Sequence, residues 1–275
     1  MTSTLEITSQ QVDVGDTTLH VSISGQGFPL VWLHGSGPGA SGLSNFQANL
    51  EAFPDFRNLV IDHPRFGASG RPHIEGALIP YSGERILKAL DALGVQEFSL
   101  IGNSYGGGVA AWIAATAPDR VTSLILMAPG GLTPKHVTKS EDLPYGIQLI
   151  VKAMTQGVDR ELLREFTGAM VYDPALVTDE LVEQRYHAAA KNNPEIEGVP
   201  HMGDLTELLG NITARTLIIW GREDRFLLPG WAILWLEAIS NSELHVFPRC
   251  GHWAQYEQLN SFNRLTGEFL RSEIS

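Results

Sequence analysis

The sequence predicts an α/β fold: a mostly parallel, doubly wound sheet with an inserted helical cap. Three observations predict it. Short apolar runs alternate with helix-like stretches along most of the chain. The interval from about Leu132 to Leu205 breaks that alternation, with helix-like pieces and five prolines (134, 144, 174, 194 and 200) but no convincing strand. Finally, several polar, glycine-flanked motifs follow apolar runs, which puts them at strand ends, where open α/β sheets build their ligand crevice.

The elements follow in order. Val12-Asp13-Val14 and Leu19 to Ile23 alternate around Gly15-Asp16 and predict an opening hairpin between Leu5 and Ser24. Leu30–Leu33, Leu59–Ile61, Phe98–Ile101, Leu124–Met127, Leu217–Trp220 and Leu244–Phe247 read as buried strands, most of them central and parallel. Helical patterns run from Glu84 to Leu93, Val109 to Ala117, Trp231 to Ile239 and Asn260 to Leu270, and within the insertion from Gly146 to Met154, Arg160 to Met170 and Glu180 to Ala190. The expected organisation is therefore a core in two parts, 1–132 and 205–275, around a cap at 133–204. At 275 residues and 43% hydrophobic, the chain can bury a large core.

Composition narrows the function. With 19 Lys+Arg against 31 Asp+Glu the formal charge is -12, which argues against nucleic acid or an anionic membrane surface as partner. An anionic substrate would need a local cation. A single cysteine, Cys250, excludes an intramolecular disulfide framework, and no cluster has metal-ligand spacing, so neither metal nor cofactor is expected. The first residues have no basic start and no apolar run of signal length, and no stretch is long enough to span a bilayer, so the expected location is cytoplasmic.

The chemistry lies in three motifs in one order. Ser104 sits in Gly102-Asn103-Ser104-Tyr105-Gly106, Asp224 in Gly221-Arg222-Glu223-Asp224, and His252 in Cys250-Gly251-His252-Trp253. Nucleophile, acid, base is the order used by α/β-hydrolases. Ser104 falls between an apolar strand and a small-residue helix. A turn that sharp forces strained backbone, and side chains two residues to either side would collide across it, so glycine is needed at 102 and 106. His252 would take the serine proton while Asp224 holds the imidazole. Glu223 and Asp62 are rival acids; histidines at 20, 34, 63, 73, 136, 187, 201 and 245 are rival bases; Cys250 suits packing better than catalysis. The glycine-rich turn His34 to Gly39 also follows a strand, and with the Tyr105 amide the Ser36 amide would form an oxyanion hole.

Together the stretches Leu33 to Ala40, Gly102 to Gly107, Trp220 to Phe226 and Cys250 to Gln255 resemble the meta-cleavage product hydrolases, carbon–carbon bond hydrolases of the α/β-hydrolase fold. The likeness covers nearly the whole chain, including Met170 to Pro174 and Glu183 to Tyr186, and is weakest from Lys135 to Leu149. It implies a substrate that is a vinylogous 1,5-diketone, a 2-hydroxy-6-oxohexa-2,4-dienoate, split into 2-hydroxypenta-2,4-dienoate and a carboxylic acid. It implies that Arg185 binds the substrate carboxylate and dienol oxygen, with Trp253, Asn103, Asn45 and Gly37 completing the polar side, and that the protein is a homo-oligomer, a dimer or larger. Read from the residues alone, Arg185 is more simply a solvated helix residue paired with Glu183 or Glu180. Two positions depart from the family. Gly108 stands where some relatives place a side chain facing the pocket, and Arg65 stands where glycine is common, either as a loop residue or as an extra anion contact. An ester or lactone hydrolase with the same triad is the nearest alternative, and a non-catalytic receptor the third. The substituent at the acyl end, and the choice between an acyl-enzyme and direct attack by water, stay open at this level.

Overall fold

The computed structural model describes residues 5–134, 137, 142–191 and 201–272. His136, Pro194, Pro200, the first four residues and part of the Lys135–Leu149 stretch lie outside the described residues. Eight strands form one sheet: β1 (Thr8–Asp13), β2 (Thr18–Ser24), β3 (Phe28–Leu33), β4 (Phe56–Ile61), β5 (Phe98–Asn103), β6 (Val121–Met127), β7 (Arg215–Gly221) and β8 (Ser242–Phe247). Their spatial order is β1-β2-β4-β3-β5-β6-β7-β8. β1 and β2 are an antiparallel hairpin, β2 runs antiparallel to β4, and every other pairing is parallel.

Every residue of β5 is buried, the pattern of a strand covered on both faces. β8 departs from the central reading. It is the edge strand and is half exposed, with Val246 open to solvent. Helices α1 (Gly42–Leu50), α2 (Leu78–Ala92), α3 (Tyr105–Thr116), α7 (Ala232–Ala238), α8 (Ala254–Glu257) and α9 (Leu259–Arg271) connect or follow the strands, while α4 (Tyr145–Gln156), α5 (Arg160–Met170) and α6 (Asp179–Lys191) lie between β6 and β7. No strand falls in that interval among the described residues. Two apolar clusters lie on the two faces of the sheet, one around Val31, Leu100 and Val109, the other around Trp32, Ile101 and Phe262.

Helix α1 is absent from the sequence expectation. Its buried face is Gly42, Asn45, Phe46, Asn49 and Leu50, so two asparagines interrupt the apolar period. The signal that remained was its start: Ser41 accepts from the Ser44 amide and Ser44 Oγ from the Ser41 amide, a reciprocal cap. The chain leaves β3 toward β4 on one side and enters β5 on the other, which makes the carboxyl ends of β3 and β5 the switch point where a crevice opens.

No helix of the described residues is long and apolar enough to cross a membrane.

Candidate active site

Ser104 links β5 to α3 with φ 54° and ψ −116°, and its hydroxyl makes no helix-capping hydrogen bond. It is therefore not an ordinary capping serine. This backbone is costly for a residue with a Cβ, and its surroundings hold it: the Ser104 amide donates to the Met127 carbonyl at 2.9 Å, while its own carbonyl accepts from Gly108 at 3.0 Å and Gly130 at 2.8 Å. A Cβ on Gly102 would run into the Gly106 carbonyl across the turn, as expected. Gly106 is glycine for a different reason: its Cβ would strike the Leu33 and His34 carbonyls at the end of β3.

Those contacts press the loop after β3 against the nucleophile turn. A Cβ on Gly35 would lie 3.3 Å from Ser104 Cβ. Ser36 and Gly37 follow in that loop, half-buried. The Tyr105 amide stands at the first position of α3, where no intrahelical acceptor exists. The loop rests on His34, whose Nδ1–H donates to the Gly35 carbonyl (2.8 Å) while Nε2 accepts from the His63 amide (3.2 Å). These partners fix a neutral tautomer, and burial holds the pKa of His34 below its ordinary value.

Asp224 and His252 meet after β7 and β8. His252 Nδ1 donates to Asp224 Oδ2 at 2.7 Å, both side chains being almost fully buried. The other carboxylate oxygen accepts from the Phe226 and Leu227 amides at 2.7 and 3.1 Å, so the acid is aimed by its own loop. Phe226 stacks on the imidazole, 4.9 Å between centroids and 21° between planes. Asn103, the residue before Ser104, donates through Nδ2 to the His252 carbonyl at 3.4 Å, tying the serine turn to the histidine loop.

The rival acids are engaged elsewhere. Glu223 accepts from the Cys250 amide (3.0 Å) and from Arg222 (2.9 Å). Asp62 accepts from the Gly42 and Ala68 amides (2.6 and 2.9 Å) and from His20 Nδ1 (3.1 Å). Cys250 is buried, which pushes its thiol pKa up and leaves it a poor nucleophile.

Arg185 corrects the simpler reading of its helix. It is not a solvated partner of Glu183 or Glu180 but is only 3% exposed, while Glu183 pairs with Arg160 at 2.5 Å. Among the described residues it has no carboxylate partner. One guanidinium nitrogen donates to the Pro38 carbonyl (2.8 Å), Nε is buried without an acceptor, and Cζ lies 5.2 Å from the Trp253 ring. Burial pulls its pKa down to about 10. Gly37 and Gly39 pack directly against this residue, so the cation abuts the loop that carries Ser36. Trp253 Nε1 donates to Asn45 Oδ1 at 3.1 Å, and Asn103 Oδ1 is buried with no donor. The structure thus brings all ten predicted site residues to the carboxyl ends of β3, β5, β7 and β8 or against them.

Two departures resolve. A Cβ on Gly108 would collide with Gly130 and lie 2.8 Å from Ile79 Cδ1, so this glycine serves helix packing rather than a pocket. Arg65 adopts φ 73° in the loop after β4, its amide donating to the Gly70 carbonyl at 2.8 Å and its carbonyl accepting from Arg71 at 2.6 Å. Phe226 and Glu257 were not singled out from sequence. A phenylalanine two residues past the acid, and a glutamate five past the base, carry no signal until the loops are folded.

The alpha/beta hydrolase family profile matches residues 30–261. The chain is 36% identical to a 2-hydroxy-6-oxo-6-phenylhexa-2,4-dienoate hydrolase of Comamonas testosteroni, across 94% of this chain and 93% of that one. It is 34% identical to a 2-hydroxy-6-oxononadienedioate/2-hydroxy-6-oxononatrienedioate hydrolase of the same organism, across 96% and 95%. The crystal structure of the 2-hydroxy-6-oxo-6-phenylhexa-2,4-dienoate hydrolase from Rhodococcus sp. strain RHA1 superposes with a TM-score of 0.86 at 26% identity, covering 98% of this chain and all of that one. A His252–Asp224 pair and a strained serine turn on an α/β-hydrolase sheet, full-length likeness to dienoate hydrolases and a buried arginine beside that turn agree: this chain belongs to the alpha/beta hydrolase family and, within it, to the meta-cleavage product hydrolases.

Proposed function

We propose that this enzyme hydrolyses a carbon–carbon bond of a 2-hydroxy-6-oxohexa-2,4-dienoate, releasing 2-hydroxypenta-2,4-dienoate and a carboxylic acid. The observation that carries the reading beyond the family is Arg185. A buried guanidinium with no carboxylate partner among the described residues and an unsatisfied Nε is costly unless a ligand completes it. A substrate carboxylate and dienolate oxygen are that ligand, taken by a planar fork of donors. Trp253, Asn45, Asn103 and Gly37 form the polar wall around it.

In this reading the dienol first ketonises: its hydroxyl proton is lost and a proton is placed on the carbon next to the distal ketone. Ser104 Oγ then attacks that ketone as His252 Nε2 takes the hydroxyl proton, Asp224 holding the imidazole and stabilising its cation. The tetrahedral oxyanion is received by the amides of Ser36 and Tyr105. Cleavage sends the bonding pair into the keto acid as a dienolate, held by Arg185. The His252 imidazolium returns its proton to the departing dienolate, and the neutral imidazole then takes a proton from water, which frees the acyl group and restores Ser104. The helices between β6 and β7 act as the cap, residues 133–204, that delivers Arg185 to the core. No metal or cofactor enters the reaction.

Exposed Ile233 and Leu234 on α7 and exposed Val246 on edge strand β8, against which α7 packs, support a homo-oligomer of two or more copies, which light scattering tests. A cytoplasmic site of action completes the proposal, and fractionation of the producing cells tests it.

The decisive assay follows the yellow dienoate absorbance with methyl- and phenyl-ended substrates beside an aryl ester. Bleaching that disappears in Ser104→Ala supports the reading. Fast ester turnover without bleaching would replace it with a general serine esterase.

A further inference from the structure

The cap and the catalytic loop meet at one carboxylate. Glu257, at the end of α8, accepts from the Tyr172 amide through Oε2 at 2.6 Å and from the Gly251 amide through Oε1 at 2.7 Å. Tyr172 lies just past the end of α5, and Gly251 immediately precedes His252. Next to it, the His252 amide donates to the Met170 carbonyl at 2.8 Å, and a Cβ on Gly251 would lie 2.6 Å from that same oxygen. The chain leaving α5 is thus fastened to the chain entering the base.

Nothing in the triad needs this carboxylate. It touches neither Ser104 nor the imidazole, and its burial is unfavourable to the charged form, raising its pKa despite the amide donors. A half-buried carboxylate spanning two separate chain segments makes sense if the fixed separation of those segments matters. The same segment leads from α5, whose Phe166 packs against both Gly37 and Phe226, so movement of that helix would be felt on the oxyanion loop and on the ring stacked over His252.

We propose that Glu257 is a positioning residue that clamps the cap's α5 exit to the His252 loop, so that the seating of the cap sets the reach of the base toward Ser104. The proposal rests on the Ser104 and His252 roles assigned above. It does not depend on the identity of the substrate.

The test uses Glu257→Gln, whose amide presents one acceptor where the carboxylate presents two, so one of the two amide donors must face an NH2 group. Ser104 is labelled with diisopropyl fluorophosphate: the serine oxygen displaces fluoride at phosphorus while His252 takes the hydroxyl proton. Dienoate turnover is followed in parallel. The expected result is a labelling rate and a kcat that fall together, tenfold or more, with KM within twofold and far-ultraviolet dichroism unchanged. Tyr172→Pro, which deletes the cap-side donor, gives the same pattern, whereas Tyr172→Ala, which keeps the amide and trims an exposed ring, holds the wild-type rate. Wild-type labelling in folded Glu257→Gln and Tyr172→Pro overturns the clamp. Should Glu257→Gln not fold, the two Tyr172 variants decide alone. If the wild-type protein labels but bleaches no dienoate, the substrate reading fails, and the labelling rates still decide the clamp.

Discussion

The two halves of the site are built on opposite principles. The proposed hydrolytic half, Ser104 with Asp224 and His252, is over-determined: each polar atom of Asp224 has a partner, His252 is hydrogen-bonded to the acid and stacked on Phe226, and three backbone hydrogen bonds hold the Ser104 turn. The anion half, Arg185 on α6, is left short of partners, with a buried Nε and no carboxylate among the described residues. A preorganised half spends no reorganisation at the moment of reaction, whereas an unsatisfied half gains the most when substrate arrives. On the proposed reading, the difference assigns chemistry on any acyl group to the first half and selection of the substrate to the second.

The largest effects should come from breaking the hydrolytic half. Ser104→Ala and Asp224→Asn are each expected to lower kcat by about 10⁴-fold or more on dienoates and aryl esters alike, measured by single-turnover absorbance. Arg185→Met should separate the halves. Dienoate kcat/KM is expected to fall roughly 100- to 1,000-fold while ester hydrolysis stays within a few fold, because only the dienoate brings a carboxylate. The same variant should be more stable than wild type, by about 1–2 kcal/mol in denaturant, since it removes an uncompensated buried cation. Loss of stability in Arg185→Met would mean that the cation is already satisfied without substrate.

The same contrast decides what was legible in the sequence. The hydrolytic half announces itself because its geometry needs residues of a particular kind at fixed spacing: glycines at 102 and 106 for close approach, a serine between strand and helix, an acid and a histidine past later strands. Strand and helix order was legible for the same reason, as apolar runs set the sheet and prolines set off the insertion. Arg185 has no such local demand. Its neighbours are acids at i−2 and i−5, which suggest a solvated helix face, and its burial is decided by loop 37–39 and Trp253, far away in sequence. Without the family likeness it could not be distinguished from Arg160 or Arg164, which do pair with surface acids. Helix α1 was hidden by Asn45 and Asn49, polar residues buried for contacts with Trp253, Gln255 and Asn263.

A smaller effect sharpens the comparison beneath the oxyanion loop. His63 is fully buried, with both ring nitrogens lacking a hydrogen-bond partner among the described residues, and lies 4.7 Å from the rings of both His34 and Tyr105. Burial, with the nearby His34, drives its pKa well below 6.5. Between that depressed value and 6.5 the unfolded chain binds more protons than the folded one, so stability rises with pH through this window and is lost on acidification. His63→Phe removes both the unpaired nitrogens and the titration. The expected gain is about 1 kcal/mol at neutral pH, growing as the pH approaches 5, by urea unfolding at a series of pH values. Kinetics should be unchanged, since the His63 amide still donates to His34. A neutral-pH loss of stability would show that the imidazole holds a partner not given by these side chains.

The smallest expected effect compares two residues that share a positive φ. Ser104 and Arg65 both lie at positive φ, 54° and 73°, past the carboxyl ends of β5 and β4, which flank β3. At Ser104 the strain presents the proposed nucleophile and cannot be relieved without losing it. At Arg65 the side chain makes no ion pair among the described residues, and the turn is held through its main chain, the Arg65 amide donating to the Gly70 carbonyl and the Arg65 carbonyl accepting from the Arg71 guanidinium. Arg65→Gly is therefore expected to keep kcat and KM for dienoates within twofold and to raise stability by up to about 1 kcal/mol, read as a shift in the denaturation midpoint. A rise in KM specific to dienoates would instead make Arg65 a second cation for the substrate. The anion half would then extend from α6 to the loop after β4.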